Sequence, residues 1–258
     1  MRLETIPVLG DNYAYLVICD ETREAAAVDP ADAQAVADRV EQLGLRLGAI
    51  WCTHHHADHT GGNRELLERL GPCAVVGHSS DRGRIPGLSA MVDDGDHVQV
   101  GRLEARVLHT PGHTRGAVCY LVDDLLLTGD TLFAAGCGRL FEGDPPTMFA
   151  SLQKIRSLSP GTRICCGHEY TEKNLDFAWG VEPGNTALQQ RIDRVRALRR
   201  EGLPSVPFAL AEELETSPFL RCDSAEIIAT LRERHSLAGT SPLAVFTRLR
   251  ELRNAYYL

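Results

Sequence analysis

The chain has 258 residues, of which 43% are hydrophobic and 24% charged, and a net charge of −8. This composition is typical of a folded globular protein, and the acidic balance argues against a broad nucleic-acid-binding or anionic-membrane-binding surface. No signal-peptide pattern and no apolar run long enough to span a membrane occurs, so we expect a cytoplasmic protein with no nucleic-acid or membrane partner.

The first two thirds of the chain predicts a mixed α/β structure. Short apolar runs typical of strands alternate with segments whose apolar residues recur at helical spacing, as around Val36, Leu66 and Leu152. The predicted strands are Tyr13 to Cys19, Ala25 to Val28, Ala49 to Thr53, Cys73 to Val76, Leu103 to Leu108, Ala117 to Val122, Leu125 to Thr128 and Arg163 to Cys166. This alternation indicates packed layers of helix and sheet.

After Trp179 the pattern changes to helical spacing alone, and no strand is predicted there. Three segments show this spacing: 188–198, 225–234 and 243–252. We therefore predict a catalytic α/β domain at residues 1–173 and a small all-helical domain at residues 174–258.

The strongest chemical signal is the motif THHHADHTGG, residues 53–62, at the end of a predicted strand. In an extended segment successive side chains alternate, so His54, His56 and Asp58 are expected to face one way while His59 turns elsewhere. Imidazole and carboxylate ligands suit zinc, iron or manganese, and the absence of thiolates indicates a catalytic metal site rather than a closed structural one.

Three further candidate ligands each follow an apolar run and a glycine: His113, Asp130 and His168. Each alone is more often a turn residue or a hydrogen-bonded histidine, but together with the histidine motif they predict a metal site. Two ions about 3.5–4 Å apart can share a water and present it as hydroxide near neutral pH. Hydrolysis is therefore the predicted reaction, with Asp58 and Asp130 as the expected catalytic carboxylates.

These residues give the chain a resemblance to the metallo-β-lactamase superfamily, whose HxHxDH motif is similar to His54, His56, Asp58 and His59. The resemblance implies an α/β (α+β) fold, a four-layer αββα sandwich, that holds two divalent metal ions, zinc first and iron or manganese as alternatives. It divides the implied ligands between a first ion on His54, His56 and His113 and a second on Asp58, His59 and His168, with Asp130 bridging them.

Two residues near these ligands are not assigned to a metal. The resemblance implies that His55, inside the motif, is not a ligand. Asp29 could orient a ligand histidine or serve as a turn residue or helix cap, and the sequence leaves both interpretations open.

A closer resemblance, to the glyoxalase II (hydroxyacylglutathione hydrolase) family, extends over essentially the whole chain. It rests on the helical tail and on three segments: GCGRLFEG at 136–143, GHEYT at 167–171 and VEPGN at 181–185. It implies hydrolysis of S-(2-hydroxyacyl)glutathione, with S-D-lactoylglutathione as the expected substrate, to a 2-hydroxy acid and glutathione. This is the second step of methylglyoxal detoxification.

The same resemblance implies a set of substrate-binding residues: Arg139, Phe141, His168, Tyr170, Arg250 and Arg253. Arg250 and Arg253 lie three residues apart on a predicted helix and could together bind a carboxylate, although a solvated basic face is the alternative. Many family members have lysine where Arg139 and Arg253 stand and tyrosine where Phe141 stands. Charge is thus retained while one hydroxyl is lost, which changes the donor geometry toward glutathione.

Other functions use the same fold and ligands. A metal-dependent phosphodiesterase or nuclease is disfavoured by the acidic balance. A persulfide dioxygenase, with a single redox-active iron, is the second alternative. A β-lactamase is disfavoured by the absence of an export signal, and a non-enzymatic metal-binding module leaves the helical tail unexplained. We expect a monomer whose partner is a small-molecule glutathione thioester.

Overall fold

The computed structural model describes residues 1–256, in which two six-stranded sheets pack face to face. In spatial order, the first sheet consists of β1 (Arg2–Val8), β2 (Asn12–Cys19), β3 (Glu24–Val28), β4 (Arg46–Trp51), β5 (Ala74–His78) and β6 (Ala90–Val92). In chain order, the second consists of β7 (His97–Val100), β8 (Leu103–His109), β9 (Val118–Val122), β10 (Leu125–Gly129), β13 (Arg163–Cys166) and β14 (Phe208–Ala209). Between them in the chain, β11 (Leu132–Phe133) and β12 (Gly136–Cys137) form a separate hairpin.

Helices cover both outer faces of the sheets and form most of the C-terminal region. They are α1 (Ala33–Gln42), α2 (Ala57–Thr60), α3 (Asn63–Leu70), α4 (Pro145–Arg156), α5 (Thr171–Val181), α6 (Thr186–Arg200), α7 (Leu210–Thr216), α8 (Ala225–His235) and α9 (Pro242–Ala255). Among the described residues, no helix has both the length and the apolarity needed to cross a membrane.

Strand β2 shows how the layers are held together, because all of its residues are buried. Tyr15 and Val17 belong to the core between the two sheets, whereas Leu16 and Ile18 pack with α1 and α3 on the outer face. Alternation along a strand thus supplies apolar side chains to two cores at once. On the other side of the molecule, α4 joins the core of the second sheet, so the predicted four-layer order of helix, sheet, sheet and helix is confirmed.

The prediction that no strand follows Trp179 is wrong. Phe208 of β14 pairs antiparallel with Ile164 of β13, and the Leu210 N–H donates to the Thr162 carbonyl at 2.8 Å. A two-residue strand is too short to show an alternating pattern, and its partner is an edge supplied from distant sequence. The C-terminal region is therefore helical apart from β14, and the domain division at residues 173 and 174 stays a prediction.

Parallel pairing brings the predicted ligands to one edge of the molecule. Strands β3 and β4 are parallel neighbours, as are β10 and β13. Because the carboxyl ends of parallel strands meet at the same edge, the residues that follow them become neighbours. Asp29 and the histidine motif follow the first pair, and Asp130 and His168 follow the second.

Candidate active site

The first group of candidate ligands consists of three imidazoles, those of His54, His56 and His113. His56 Nδ1 lies 3.1 Å from His54 Nε2 and 3.1 Å from His113 Nε2. The outward nitrogen of His113, Nδ1, donates to the Arg139 carbonyl at 2.8 Å, which leaves its inward nitrogen as an acceptor. Converging acceptors at this spacing fit one cation, since ligands of a tetrahedral zinc are about 3.3 Å apart.

The second group consists of Asp58, His59 and His168. The Nε2 atoms of His59 and His168 are 3.3 Å apart, and Asp58 Oδ2 lies 3.5 Å from His168 Nε2. The expectation that Asp58 faces the same way as His54 and His56 is wrong, because the chain turns into α2 at Ala57 and is no longer extended there. The helical turn carries Asp58 to the second group, as the family resemblance implies.

Asp130 lies between the two groups. Its Oδ1 is 3.3 Å from His59 Nε2, and its Oδ2 is 3.4 Å from His113 Nε2 and 3.5 Å from His168 Nε2. Asp130 is buried, and its Oδ1 has no hydrogen-bond donor among residues 1–256. A buried carboxylate oxygen without a donor is costly unless a cation neutralises it, so this position also suits a metal ligand.

Residues outside the ligand groups orient the ligands. Asp29 accepts hydrogen bonds from the Thr53 N–H at 2.8 Å and the Thr53 hydroxyl at 2.6 Å, and its Oδ2 lies 3.0 Å from His59 Nδ1. Of the two interpretations left open for Asp29, the structure therefore supports the ligand-orienting one. In the same way Asp11 Oδ1 lies 3.1 Å from His168 Nδ1, and the Asn12 amide donates to the Asp58 carbonyl at 2.9 Å.

The first ligand group has the protonation state that suits cation binding. Burial lowers the pKa of His54 well below its ordinary value, and burial also lowers the pKa values of His56 and His113. These imidazoles are therefore neutral at pH 7, as metal ligands must be. Burial opposes charge on His59 as well, but the carboxylates of Asp130 and Asp29 outweigh it and raise its pKa to about 9. Burial would raise the pKa of Asp130, yet the His59 and His168 imidazoles hold it well below its ordinary value.

A cleft of about 260 Å³ is lined by His113 of the first ligand group and by Asp130. Five of the six predicted substrate-binding residues also line it: Arg139, Phe141, Tyr170, Arg250 and Arg253. The sixth, His168, belongs to the second ligand group and has its ring stacked on that of Tyr170 at 4.7 Å. The structure thus brings the predicted ligands and the predicted substrate residues into one site.

The two arginines of α9 are not a solvated face. Arg250 is 6% exposed, and its Nη1 donates to the Cys137 carbonyl at 2.6 Å. Arg253 Nη2 donates to Asn174 Oδ1 at 3.0 Å. Both guanidinium groups therefore contribute positive charge to the cleft wall from fixed positions.

Sequence reasoning missed several residues of the site: Asp11, Asn12, Thr53, Phe133 and Asn174. Asp11 and Asn12 stand just before the predicted strand Tyr13 to Cys19, where such residues ordinarily form turns. Asn174 lies inside α5 and carries no local signal at all. Their roles depend on contacts between distant parts of the chain.

Two family models together match nearly all of the described residues: "Metallo-beta-lactamase superfamily" at residues 9–168 and "Hydroxyacylglutathione hydrolase C-terminus" at residues 169–256. Among solved structures, ETHE1 from Myxococcus xanthus has a TM-score of 0.67 and 27% identity, with 99% of each chain covered. The di-iron-bound form of TTHA1623 has a TM-score of 0.54 and 30% identity, covering 65% of this chain and 92% of that one.

The fold and the site define a member of the metallo-β-lactamase superfamily, with His and Asp clusters suited to divalent metal. Among curated relatives, the hydroxyacylglutathione hydrolase of Methylococcus capsulatus is 48% identical over 258 residues, which is 99% of each chain. The chain accordingly belongs to the hydroxyacylglutathione hydrolase family.

Proposed function

We propose that this protein hydrolyses S-(2-hydroxyacyl)glutathione, with S-D-lactoylglutathione as its substrate, to a 2-hydroxy acid and glutathione. The observation that carries the proposal is a cleft lined by the candidate ligands His113 and Asp130 and by three arginines. A glutathione thioester matches that arrangement, because its carbonyl can lie beside the candidate ligands while its carboxylates reach the guanidinium groups. Relatives named for this activity match the whole chain.

We infer that the site holds two divalent ions, zinc first and iron or manganese as alternatives. His54, His56 and His113 would hold one and Asp58, His59 and His168 the other, with Asp130 shared between them. Support comes from the converging imidazoles, of which those in the first group are neutral at pH 7, and from a relative solved in a di-iron-bound form. Nitrogen and carboxylate donors bind all three metals, so metal availability contributes to which of them occupies the site.

Divalent ions in such a site supply an activated water near neutral pH and stabilise the negative charge that develops on the thioester oxygen. The chain's own groups then bind and orient the substrate. Burial raises the pKa of Tyr170, so its hydroxyl stays protonated and can donate a hydrogen bond in the cleft. Arg139 and Arg253 attract the glutathione carboxylates, which fixes the thioester end over the ligand groups.

The alternative functions are not favoured. A phosphodiesterase, a nuclease or a persulfide dioxygenase would share the fold, but the C-terminal family model and the full-length relatives carry the hydroxyacylglutathione hydrolase name. The monomeric state and the cytoplasmic location stay predictions.

The decisive experiment follows free-thiol release from S-D-lactoylglutathione by the purified protein, with and without a chelator. We expect turnover that the chelator abolishes and that added zinc, iron or manganese restores. Turnover that survives complete metal removal would contradict the role of the ions, and no thiol release by metal-loaded protein would contradict the substrate.

A further inference from the structure

His55, the histidine of the motif that joins neither ligand group, lies in a charged cluster that includes Arg84 and Glu142. Arg84 Nη2 lies 2.5 Å from His55 Nε2 and also pairs with Glu142, while Arg84 Nη1 lies 3.2 Å from Asp81 Oδ1. His55 Nδ1 is 3.4 Å from Asp81 Oδ1. We call these four residues, His55, Asp81, Arg84 and Glu142, the Glu142 cluster.

Glu142 belongs to residues 139–143, here called the rim loop, which carries two predicted substrate residues, Arg139 and Phe141. The rim loop has no helix or strand of its own. On one side its backbone is tied to the ligand segment, since the Phe141 N–H donates to the His113 carbonyl at 3.2 Å and the Gly143 N–H to the Gly112 carbonyl at 3.1 Å. The two glycines make this approach possible, because a Cβ on Gly143 would lie 2.6 Å from Gly112 Cα.

Apolar burial does not fix the position of the outer part of the rim loop. Phe141 is 61% exposed, and its ring lies edge-on to the rings of His56 and His113 at 5.6 and 5.3 Å. A side chain that is so exposed contributes little apolar burial. Leu140 packs partly buried against the core, but beyond it the loop depends on polar anchors. Glu142 supplies two of these, since its carboxylate pairs with Arg84 and accepts from the Arg115 N–H at 2.8 Å.

We propose that Glu142 is a positioning residue that fixes the rim loop, and with it Arg139 and Phe141, at the distance from the ligand groups that suits the glutathione half of the substrate. Arg84 holds Glu142, and His55 and Asp81 hold Arg84. His55, which the resemblance excludes as a ligand, thus has a structural role in holding Arg84. This inference rests on the proposed function and adds a residue that sets the KM for glutathione thioesters.

The proposal separates two kinds of thioester. Glutathione thioesters use the rim loop through their glutathione half, whereas a lactoyl thioester of a short thiol such as N-acetylcysteamine presents the same carbonyl without that half. Releasing the rim loop should weaken binding of glutathione thioesters and leave hydrolysis of the short-thiol thioester unaffected.

The experiment compares the metal-loaded wild-type protein with Glu142→Ala, Glu142→Gln and a matched control, Glu21→Ala. Glu21 forms an exposed ion pair with Arg102 at 2.7 Å, so the control removes the same charge from a surface pair outside the site. We expect Glu142→Ala to raise the KM for S-D-lactoylglutathione roughly tenfold with kcat nearly unchanged, and Glu142→Gln, which keeps an acceptor, to do so less. Metal content and hydrolysis of the short-thiol ester should stay at the wild-type level.

Three results would overturn the proposal. One is an unchanged KM in a folded Glu142→Ala protein. The second is an equal loss for both thioesters, and the third is a fall in kcat accompanied by loss of metal. The last two would mean that Glu142 acts on the metal site through His113 rather than on the glutathione half.

Hydrogen exchange gives a readout that does not depend on the substrate. The amides of Phe141 and Gly143 should exchange faster in Glu142→Ala than in the wild type or in Glu21→Ala, at equal metal content. If wild-type protein fails to cleave the thioester while these amides respond, the proposed function is wrong and the anchoring role stands. If exchange is unchanged, the anchoring role is wrong whatever the substrate.

Discussion

The carboxylate of Asp130 reaches both ligand groups, and this geometry suits a carboxylate shared by two cations. Oδ1 lies near His59 of the second group, whereas Oδ2 lies between His113 of the first group and His168 of the second. The pKa of Asp130 is held well below its ordinary value, despite burial, by the surrounding imidazoles, so the carboxylate is ionised throughout the neutral range. A neutral side chain of the same shape would remove that negative charge from both ligand groups at once.

Replacing Asp130 with asparagine should therefore reduce occupancy at both proposed metal positions together. Loss of a residue that only orients a ligand costs about 10–100-fold in metal affinity or activity, so loss of a shared ligand should cost at least on the order of 100-fold in turnover. Metal per chain by atomic emission, measured beside thiol release, tests this. Asp124→Asn, at an exposed pair with Arg163, is the control. Full metal content with wild-type turnover in Asp130→Asn would refute the shared role.

At this scale the candidate ligands could be picked out from the sequence, whereas the residues that orient them could not. His54 to His59 lie within one short segment, so their clustering is visible locally. The choice between a turn role and an orienting role for Asp29 could not be made, because its partner His59 is thirty residues away. Asn12 gave no signal, since its contact with Asp58 depends on how β2 and α2 meet.

At the scale of elements, the end of β13 shows how closely the backbone approaches the ligands. A Cβ at Gly167 would lie 2.5 Å from Asp130 Oδ1 and 2.6 Å from His59 Cε1. Real side chains do not tolerate such distances. Only glycine at position 167 therefore allows His168, which follows β13, to lie beside Asp130.

Gly167→Ala should therefore displace Asp130 or His59 and lower metal affinity while the fold persists. Gly161→Ala is the matched control, because a Cβ there meets nothing nearer than the Ser159 hydroxyl at 3.8 Å. Circular dichroism should be native-like in both variants, and only Gly167→Ala should lose metal in competition with a weak chelator. Equal metal affinity in the two variants would show that the close approach is not needed.

Two of the strands that the sequence failed to predict, β1 and β14, share a physical cause. Strand β1 contains Pro7, which argues against a strand, yet β1 lies at a sheet edge where a missing N–H is tolerated. Strand β14 is two residues long and depends on the edge of β13. Periodicity within a segment predicts the long central strands, but it contains no information about which edges are available.

At the scale of the whole molecule, the C-terminal region contacts the hairpin that leads from Asp130 to the rim loop. Three side chains bind its backbone: Asn174 donates to the Ala134 carbonyl at 3.0 Å, Glu213 accepts from the Ala135 N–H at 3.0 Å, and Arg250 donates to the Cys137 carbonyl at 2.6 Å. The helical region therefore supports the site as well as lining it. The family resemblance implied that this region lines the site, whereas its support of the hairpin is apparent only from the structure.

A buried ion pair between Arg191 and Glu213 takes part in this contact, because Glu213 also accepts from the Ala135 N–H. Both side chains are almost fully buried, and Arg191 Nη2 lies 2.6 Å from Glu213 Oε1. Removing one member of a buried pair leaves an uncompensated charge, which costs about 3–5 kcal/mol, whereas an exposed pair contributes at most about 1 kcal/mol. Arg194, on the same helix, pairs with Glu212 at the surface and provides the comparison.

We therefore expect Arg191→Met to lower the free energy of unfolding by about 3–5 kcal/mol and Arg194→Met by less than about 1 kcal/mol, as measured by urea denaturation. Because Glu213 also binds Ala135, the Arg191→Met protein should exchange the Ala135 amide faster than the Arg194→Met protein does. Equal unfolding free energies for the two variants would show that the buried pair does not stabilise the contact. Unchanged exchange at Ala135 despite a large loss of stability would show that the pair holds the helices to one another and not to the hairpin.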